Sequence, residues 1–196
     1  MINIIKPRYV WNGSLSKRSK TAKIILHHAA MHGTPAEIHK LHINNGWSGM
    51  GYHFYIRQDG KIYEGRPIDI IGAHCKGHNY DSIGICFEGN FEREPEMSEE
   101  QKKAGKQVIN YINSIYPNLQ IYRHKDLYST ACPGRYFPFN EFVQKISPIT
   151  SVNDILWELL NQGVVTDAQK WKKKINEDKD IYWLCYKISN KLRGTL

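Results

Sequence analysis

The sequence predicts an α/β (α+β) fold: a mixed central β-sheet flanked by helices, followed by a small all-helical appendage. Three observations carry that expectation. Short apolar or β-prone runs alternate with capped amphipathic helices between residues 20 and 146. Two β-prone runs flank Asp59-Gly60, the strongest hairpin signal in the chain. Beyond Ser147-Pro148 the pattern becomes entirely helical. The expected domains are residues 1–147 and 151–196.

Residues 1–20 read as an irregular leader with Pro7, Gly13 and several basic residues. Lys23 to His28 is a short Ile-rich run that reads as a buried strand ending in two histidines. Side chains alternate along a strand, so Ile24, Leu26 and His28 share one face, and Ile25 and His27 the other. The pattern leaves open which face holds a site. Thr34-Pro35-Ala36-Glu37 starts a helix, with Thr34 as N-cap, Pro35 at the first helical position and Glu37 completing a capping box. Ile38 and Leu41 are expected on its apolar side and His39 and His42 on its solvated side or rim, and it stops near Asn45-Gly46.

In the hairpin, Tyr52, Phe54 and Ile56 are expected on one face, His53 and Tyr55 on the other. Gly72 to Asn79 is a polar loop with two histidines, and Ser82 to Phe87 is a second buried strand. Ser98 to Gln101 reads as another capping box. It opens a helix with Ala104, Val108, Ile112 and Ile115 on its apolar side, ending at Tyr116-Pro117. Leu119 to Arg123 is a short strand, and Phe139, Phe142, Val143 and Ile146 mark a closing helix.

In the appendage, Ile155, Leu156, Leu159 and Leu160 form a stripe stopped by Gly163. Thr166 to Gln169 cap a helix carrying Trp171 and Ile175. Ile181, Leu184, Cys185, Ile188 and Leu192 form a third stripe. About 46 residues is near the lower limit for an independent core.

The chain has 196 residues, 41% hydrophobic and 23% charged, as an ordinary soluble globular protein does. Its net charge of +8 favours anionic partners: nucleic acid, acidic lipid or an acidic cell-wall polymer. No helix-turn-helix, zinc-finger or aromatic RNA-binding signature accompanies the charge, so nucleic acid is not an expected partner. No stretch could span a membrane, and Met1 to Lys20 lacks the apolar run of a signal peptide. Synthesis in the cytoplasm is therefore expected. Cys75, Cys86, Cys132 and Cys185 show no CxxC pair and no disulfide framework. Three of them read as small buried apolar residues.

Cys132 differs because of its company. Arg123 to Gly134 offers His124 and Cys132 with seven residues between them, closed by Pro133-Gly134. Imidazole and thiolate are ligand types that Zn²⁺ prefers. A third ligand is needed, and His27-His28 is the candidate. Zinc hydrolases typically use three protein ligands and keep the fourth position for water, whose pKa falls from about 15.7 to about 7. The rival is a closed site with a fourth ligand from His28 or His53. Strand alternation points His28 away from His27, and His53 away from Tyr52.

Ile25-Leu26-His27-His28, Gly51-Tyr52-His53-Phe54, Gly72-Ala73-His74-Cys75-Lys76-Gly77-His78-Asn79, Ser82-Ile83-Gly84-Ile85 and His124-x7-Cys132-Pro133-Gly134 occur in that order. In this combination the chain resembles zinc-dependent N-acetylmuramoyl-L-alanine amidases. That type-2 family includes amidase-type phage lysozymes and peptidoglycan-recognition proteins. The resemblance covers residues 20–146. It implies a zinc groove on one side of a mixed sheet, with His27, His124 and Cys132 as ligands. It implies that Tyr52 donates its hydroxyl to the developing oxyanion and that Thr130 assists. It implies that His74 and Asn79 line the groove and touch the muramyl-peptide. Trp47, just before Gly51-Tyr52, is a candidate wall for sugar or peptide.

Some amidases of this fold carry a catalytic Glu where this chain has Cys86. Glu88 lies two residues on, displaced by about 7 Å along the strand, and its part is left open.

The reaction implied is hydrolysis of the amide between the lactyl group of N-acetylmuramic acid and L-alanine, in bacterial cell-wall peptidoglycan. A chain without a signal peptide fits a phage or prophage endolysin that waits in the cytoplasm and acts on the wall after release. The alternatives are a non-catalytic peptidoglycan-recognition module and a cytosolic muropeptide-recycling amidase. Recognition proteins that have lost activity typically lack the Cys ligand, and Cys132 is present. The appendage resembles short helical segments of clostridial and phage amidases. It reads as cell-wall binding, with the Lys170 to Lys174 cluster drawing anionic wall polymers, or as a homodimer contact, or as a stabilising tail.

Overall fold

A computed structural model describes residues 2–143 and 151–192. The chain divides into two compact units, one up to Val143 and one from Gln144 onward. Ile146 of the expected closing helix, and the expected Ser147-Pro148 boundary, lie outside the described residues.

The first unit has strands β1 (Ile4–Ile5), β2 (Lys23–His28), β3 (Phe54–Ile56), β4 (Ile62–Glu64), β5 (Ser82–Phe87) and β6 (Gln120–Arg123). Its described helices are α1 (Pro35–Asn44), α2 (Glu99–Ile115), α3 (His124–Leu127) and α4 (Phe139–Val143). The sheet runs β1-β4-β3-β5-β2-β6, and only the β3–β4 hairpin is antiparallel. β2 and β5 are buried along their length, as their near-continuous apolar runs require of central parallel strands.

One face of the sheet is the main core. Ile24, Leu26, Phe54, Ile56, Ile83, Ile85 and Phe87 pack there against Ala104, Val108, Ile109 and Ile112 of α2 and Phe142 of α4. The other face carries a smaller cluster, Ile38, Met50, Tyr55 and Cys86, with Tyr9, Trp11 and Tyr52 against it. His27 pairs in register with Cys86, which places it on this second face. His28 turns the other way, and its Nδ1 accepts from the Phe91 N–H at 3.1 Å.

Four local expectations change. The leader is not wholly irregular, since Ile4–Ile5 add a parallel edge strand to β4. On α1, Leu41 is 42% exposed while His39 and His42 are buried. The reason is polar: His39 Nδ1 accepts from the Met50 N–H at 3.1 Å, and His42 Nδ1 from the Gly51 N–H at 3.0 Å. Both rings thus satisfy donors of an otherwise unpaired buried loop. Tyr52 does not share a face with Phe54. It precedes the regular strand, so alternation does not reach it, and it joins the His27 side. At α2, Ser98 accepts from the Gln101 N–H, but the Gln101 side chain does not reach back. Its Nε2 donates instead to the carbonyls of Ile56 and Glu88, at 3.0 and 2.9 Å.

Glu88 has a structural task. Its buried carboxylate accepts from Arg57 Nε and Nη2 and from the Gln58 and Gly33 N–H groups, all within 3.1 Å. Burial pushes its pKa up, but Arg57, Gln58 and Gly33 overcome that and leave it below the usual carboxylate range. A depressed acid contributes stability above its unfolded pKa and loses it as pH falls through the folded one. Glu88→Ala is expected to cost roughly 2–3 kcal/mol at pH 7. Glu88→Gln is expected to flatten the loss of stability below about pH 4. Urea midpoints at pH 7 and pH 3.5 check both; a Glu88→Gln chain with wild-type acid sensitivity would show that other carboxylates carry it.

The second unit consists of α5 (Val152–Asn161), α6 (Ala168–Glu177) and α7 (Lys179–Leu192). Ser151 and Asp167 cap the first two. Ile155, Leu156, Leu159, Val165, Ile175 and Cys185 form its core. Leu184 and Leu192, expected in the buried stripe, are 59% and 39% exposed. The buried face of α7 is centred on Cys185, with Ile181 and Ile188 one turn to either side.

Candidate active site

His27 is the penultimate residue of β2, and His124 directly follows β6. Leu26 pairs with Arg123 in the parallel β2–β6 ladder. The register therefore delivers both histidines side by side at the C-terminal edge of the sheet, where open α/β sheets gather ligands. Their ring centroids are 4.5 Å apart.

Cys132 arrives on the loop after α3. The Lys125 N–H donates to the Cys132 carbonyl at 2.8 Å, and the Cys132 N–H to Thr130 Oγ1 at 3.2 Å. Gly134 pins the far side. Its φ is +102°, and an added Cβ would lie 2.3 Å from the Phe91 carbonyl carbon, so only glycine fits. Cys132 Sγ lies 3.7 Å from His27 Nδ1.

The ligand atoms of His27, His124 and Cys132 all lie within 4.8 Å of one another. Among the described residues, no other group of three histidines, cysteines or carboxylates gathers in this way. His124 Nε2 is buried without a hydrogen-bond partner. A buried, unpaired imidazole nitrogen beside a second imidazole and a thiol fits a soft N/N/S cation site. His28 and His53 do not join it. His53 Nδ1 accepts from the Gly84 N–H at 3.0 Å, and its Nε2 lies 2.8 Å from the Ile70 carbonyl. The closed, four-ligand arrangement is not the one formed.

Burial, with His124 and His28 adding, holds the His27 pKa well below the usual imidazole range. Burial, with His28, lowers that of His124. Both rings are neutral and can offer lone pairs. Burial raises the Cys132 thiol to about 12, so in this pocket the thiol keeps its proton until a cation displaces it.

Tyr52 packs on the cluster, its ring centroid 5.2 Å from that of His27. Its hydroxyl meets the buried Cys86 thiol. Burial, then the Cys86 and Cys132 thiols, raise its pKa well above the ordinary phenol value, so Tyr52 is a donor. Trp47 is 42% exposed and rests on His42, whose ring lies 5.5 Å from Tyr52.

The two expected groove residues, His74 and Asn79, are held by hydrogen bonds next to the cluster. His74 is buried, with its Nδ1 3.0 Å from His27 Nε2. Asn79 Oδ1 accepts from the His74 and Cys75 N–H groups at 2.7 and 2.9 Å, holding the 72–79 loop closed. Two groups were not anticipated from the sequence. Tyr128 stacks on His124 at 5.7 Å and is 44% exposed. Ser82 lies behind His74 at 3.3 Å. The sequence signals Ser82 as the polar head of a buried strand and as the first residue of the Ser82-Ile83-Gly84-Ile85 block, without pointing to a role for it.

Residues 17–135 match the family described as N-acetylmuramoyl-L-alanine amidase. The chain belongs to that family. The endolysin of Enterobacteria phage K11 is 33% identical over 144 residues, covering 69% of this amidase and 94% of the phage protein. The N-acetylmuramoyl-L-alanine amidase LysC from Clostridium intestinale superposes with a TM-score of 0.70 at 39% identity, covering 72% of this chain and 95% of its own. Wild-type Drosophila PGRP-LB superposes at 0.65 with 26% identity, covering 72% and 94%. The amidase hydrolyses the amide between N-acetylmuramic acid and L-alanine.

Proposed function

We propose that this amidase is a zinc-dependent peptidoglycan hydrolase of the endolysin type. The observation that carries the metal is the His27–His124–Cys132 cluster, with His124 Nε2 buried and unpartnered. His27 Nδ1, His124 Nε2 and Cys132 Sγ would hold Zn²⁺, which supplies a Lewis acid and a water of lowered pKa at neutral pH.

The chain's own groups do the rest. Tyr52, held protonated between His27 and Cys86, donates to the oxygen of the lactyl carbonyl as negative charge develops there. Thr130 Oγ1 accepts from the Cys132 N–H, which leaves its own proton free to donate into the groove. Trp47, packed on His42, which itself neighbours Tyr52, offers an exposed apolar face for sugar or peptide. Water adds its oxygen to the lactyl carbon, and its proton goes to the departing L-alanine nitrogen.

All of these residues lie within residues 1–143, so catalysis is assigned to the first unit, and residues 151–192 to a separate, non-catalytic part. The K11 relative is named an endolysin, which supports action on the wall of a bacterial cell after release.

Purified cell walls incubated with the protein are expected to yield free muramyl lactyl groups and new N-terminal alanine. A chelator should stop both, and Zn²⁺ should restore them. Chelator-insensitive release of new reducing sugar ends would overturn the proposal.

A further inference from the structure

Behind His27 runs a chain of hydrogen bonds whose direction can be worked out from its far end. Ser82 Oγ lies 2.6 Å from the His78 carbonyl oxygen. A carbonyl only accepts, so the single hydroxyl proton of Ser82 is directed there. Ser82 Oγ also lies 3.3 Å from His74 Nε2. With its proton engaged, the oxygen can only accept, so His74 carries its proton on Nε2.

His74 is buried, and its ring nitrogens meet Ser82 Oγ and His27 Nε2, with no carboxylate among these partners to hold a second proton. It is neutral and has one ring proton, which leaves Nδ1 bare. His74 Nδ1 lies 3.0 Å from His27 Nε2, so the proton between them belongs to His27. A cation-binding imidazole must offer a lone pair, and with the His27 proton held on Nε2 against His74, the bare nitrogen is Nδ1. That nitrogen is the one 3.7 Å from Cys132 Sγ.

The slot that holds the middle ring is made by two glycines. A Cβ on Gly72 would lie 2.4 Å from His74 Cδ2, and one on Gly84 2.6 Å from the same atom. The ring is thereby kept in the plane that the relay requires. The far anchor is equally fixed. Ser82 is fully buried at the head of β5, and the His78 N–H donates to the Cys75 carbonyl at 3.0 Å.

We propose that Ser82 is a positioning residue for the metal site: through His74, its hydroxyl selects the tautomer of His27 that presents Nδ1 to the cation. Partners of this kind hold a ligand ring in orientation and raise its basicity. The same relay ties the Gly72–Asn79 loop to the metal ligand, because its terminal acceptor is the carbonyl of a loop residue. This inference rests on the reading that His27 is a metal ligand.

The test uses the full chain, stripped of metal, with Zn²⁺ titrated against a chromophoric chelator. Ser82→Ala is expected to weaken Zn²⁺ binding by roughly 10–100-fold. His74→Ala should weaken it at least as much, and the double variant no further than His74→Ala alone. Urea denaturation of the metal-free chains separates a packing role: lower stability of Ser82→Ala with unchanged Zn²⁺ affinity overturns the proposal, as does additivity of the two variants.

A second measurement needs no variant. ¹⁵N correlation spectra of the histidine rings in the metal-free wild type are expected to place the His27 proton on Nε2, and a proton on Nδ1 overturns the relay. Failure of the wild type to bind Zn²⁺ at all would instead sink the metal-ligand reading, while the spectra would still decide the tautomer.

Discussion

Cys132→Ala is expected to leave the protein folded, almost free of zinc, and at least about 10³-fold less active, the several kcal/mol that a Lewis acid contributes to such a barrier. The substitution removes the only anionic ligand. Two neutral imidazoles at 4.5 Å remain, and they neither complete the usual three-ligand set nor offset the charge of the cation. Folding is spared because the main core, built on Leu26, Phe87, Val108 and their neighbours, lies on the opposite face of the sheet. Atomic absorption of the purified variant, its far-UV spectrum and the wall-digestion assay check the three parts. An active, metal-free variant would remove Cys132 from the site. An unfolded one would show that its loop, tied to Phe91 through Gly134, is needed for more than chemistry.

Tyr52→Phe separates metal binding from turnover. Zinc content is expected to match the wild type, because the phenol is not among the clustered ligand atoms. The turnover number is expected to fall by roughly 10²–10³, the usual effect of deleting one donor to a developing oxyanion. KM should change little, because the donation strengthens only as charge builds up. The ring itself still packs against His27, so the shape of the pocket is kept. Undiminished turnover would take Tyr52 out of the mechanism and leave Thr130 as the remaining hydroxyl candidate.

Much of the catalytic unit was legible in the sequence, for definite physical reasons. β2 and β5 form over the very residues whose apolar runs predicted them, because central parallel strands are buried on both faces and tolerate little else. α1 begins at Pro35 because Thr34 and Glu37 form the expected reciprocal cap. The three metal-ligand candidates come together because they lie at strand ends or on a short return loop, where register leaves little freedom.

What was not legible lies in the polar interior. His39 and His42 read as solvated because histidine is usually polar surface, yet both are needed inside by the amides of Met50 and Gly51. The link from His74 to His27 was not legible because only coordinates show a 3.0 Å contact across 47 positions of chain. Glu88 stayed ambiguous because a strand pattern cannot say that Arg57 will fold back to meet it.

The order of the sheet also has a kinetic consequence. His27 and Cys132 are 105 residues apart, and β2 reaches its neighbours β5 and β6 only through long parallel crossovers. Such pairings close late and slowly, since the loop entropy comes before the contact that rewards it. A cation would therefore meet a finished or nearly finished domain. Its stabilisation would appear as a slower escape from the native state rather than a faster approach to it. Resistance to opening is then the property through which a bound cation would extend the working life of the domain.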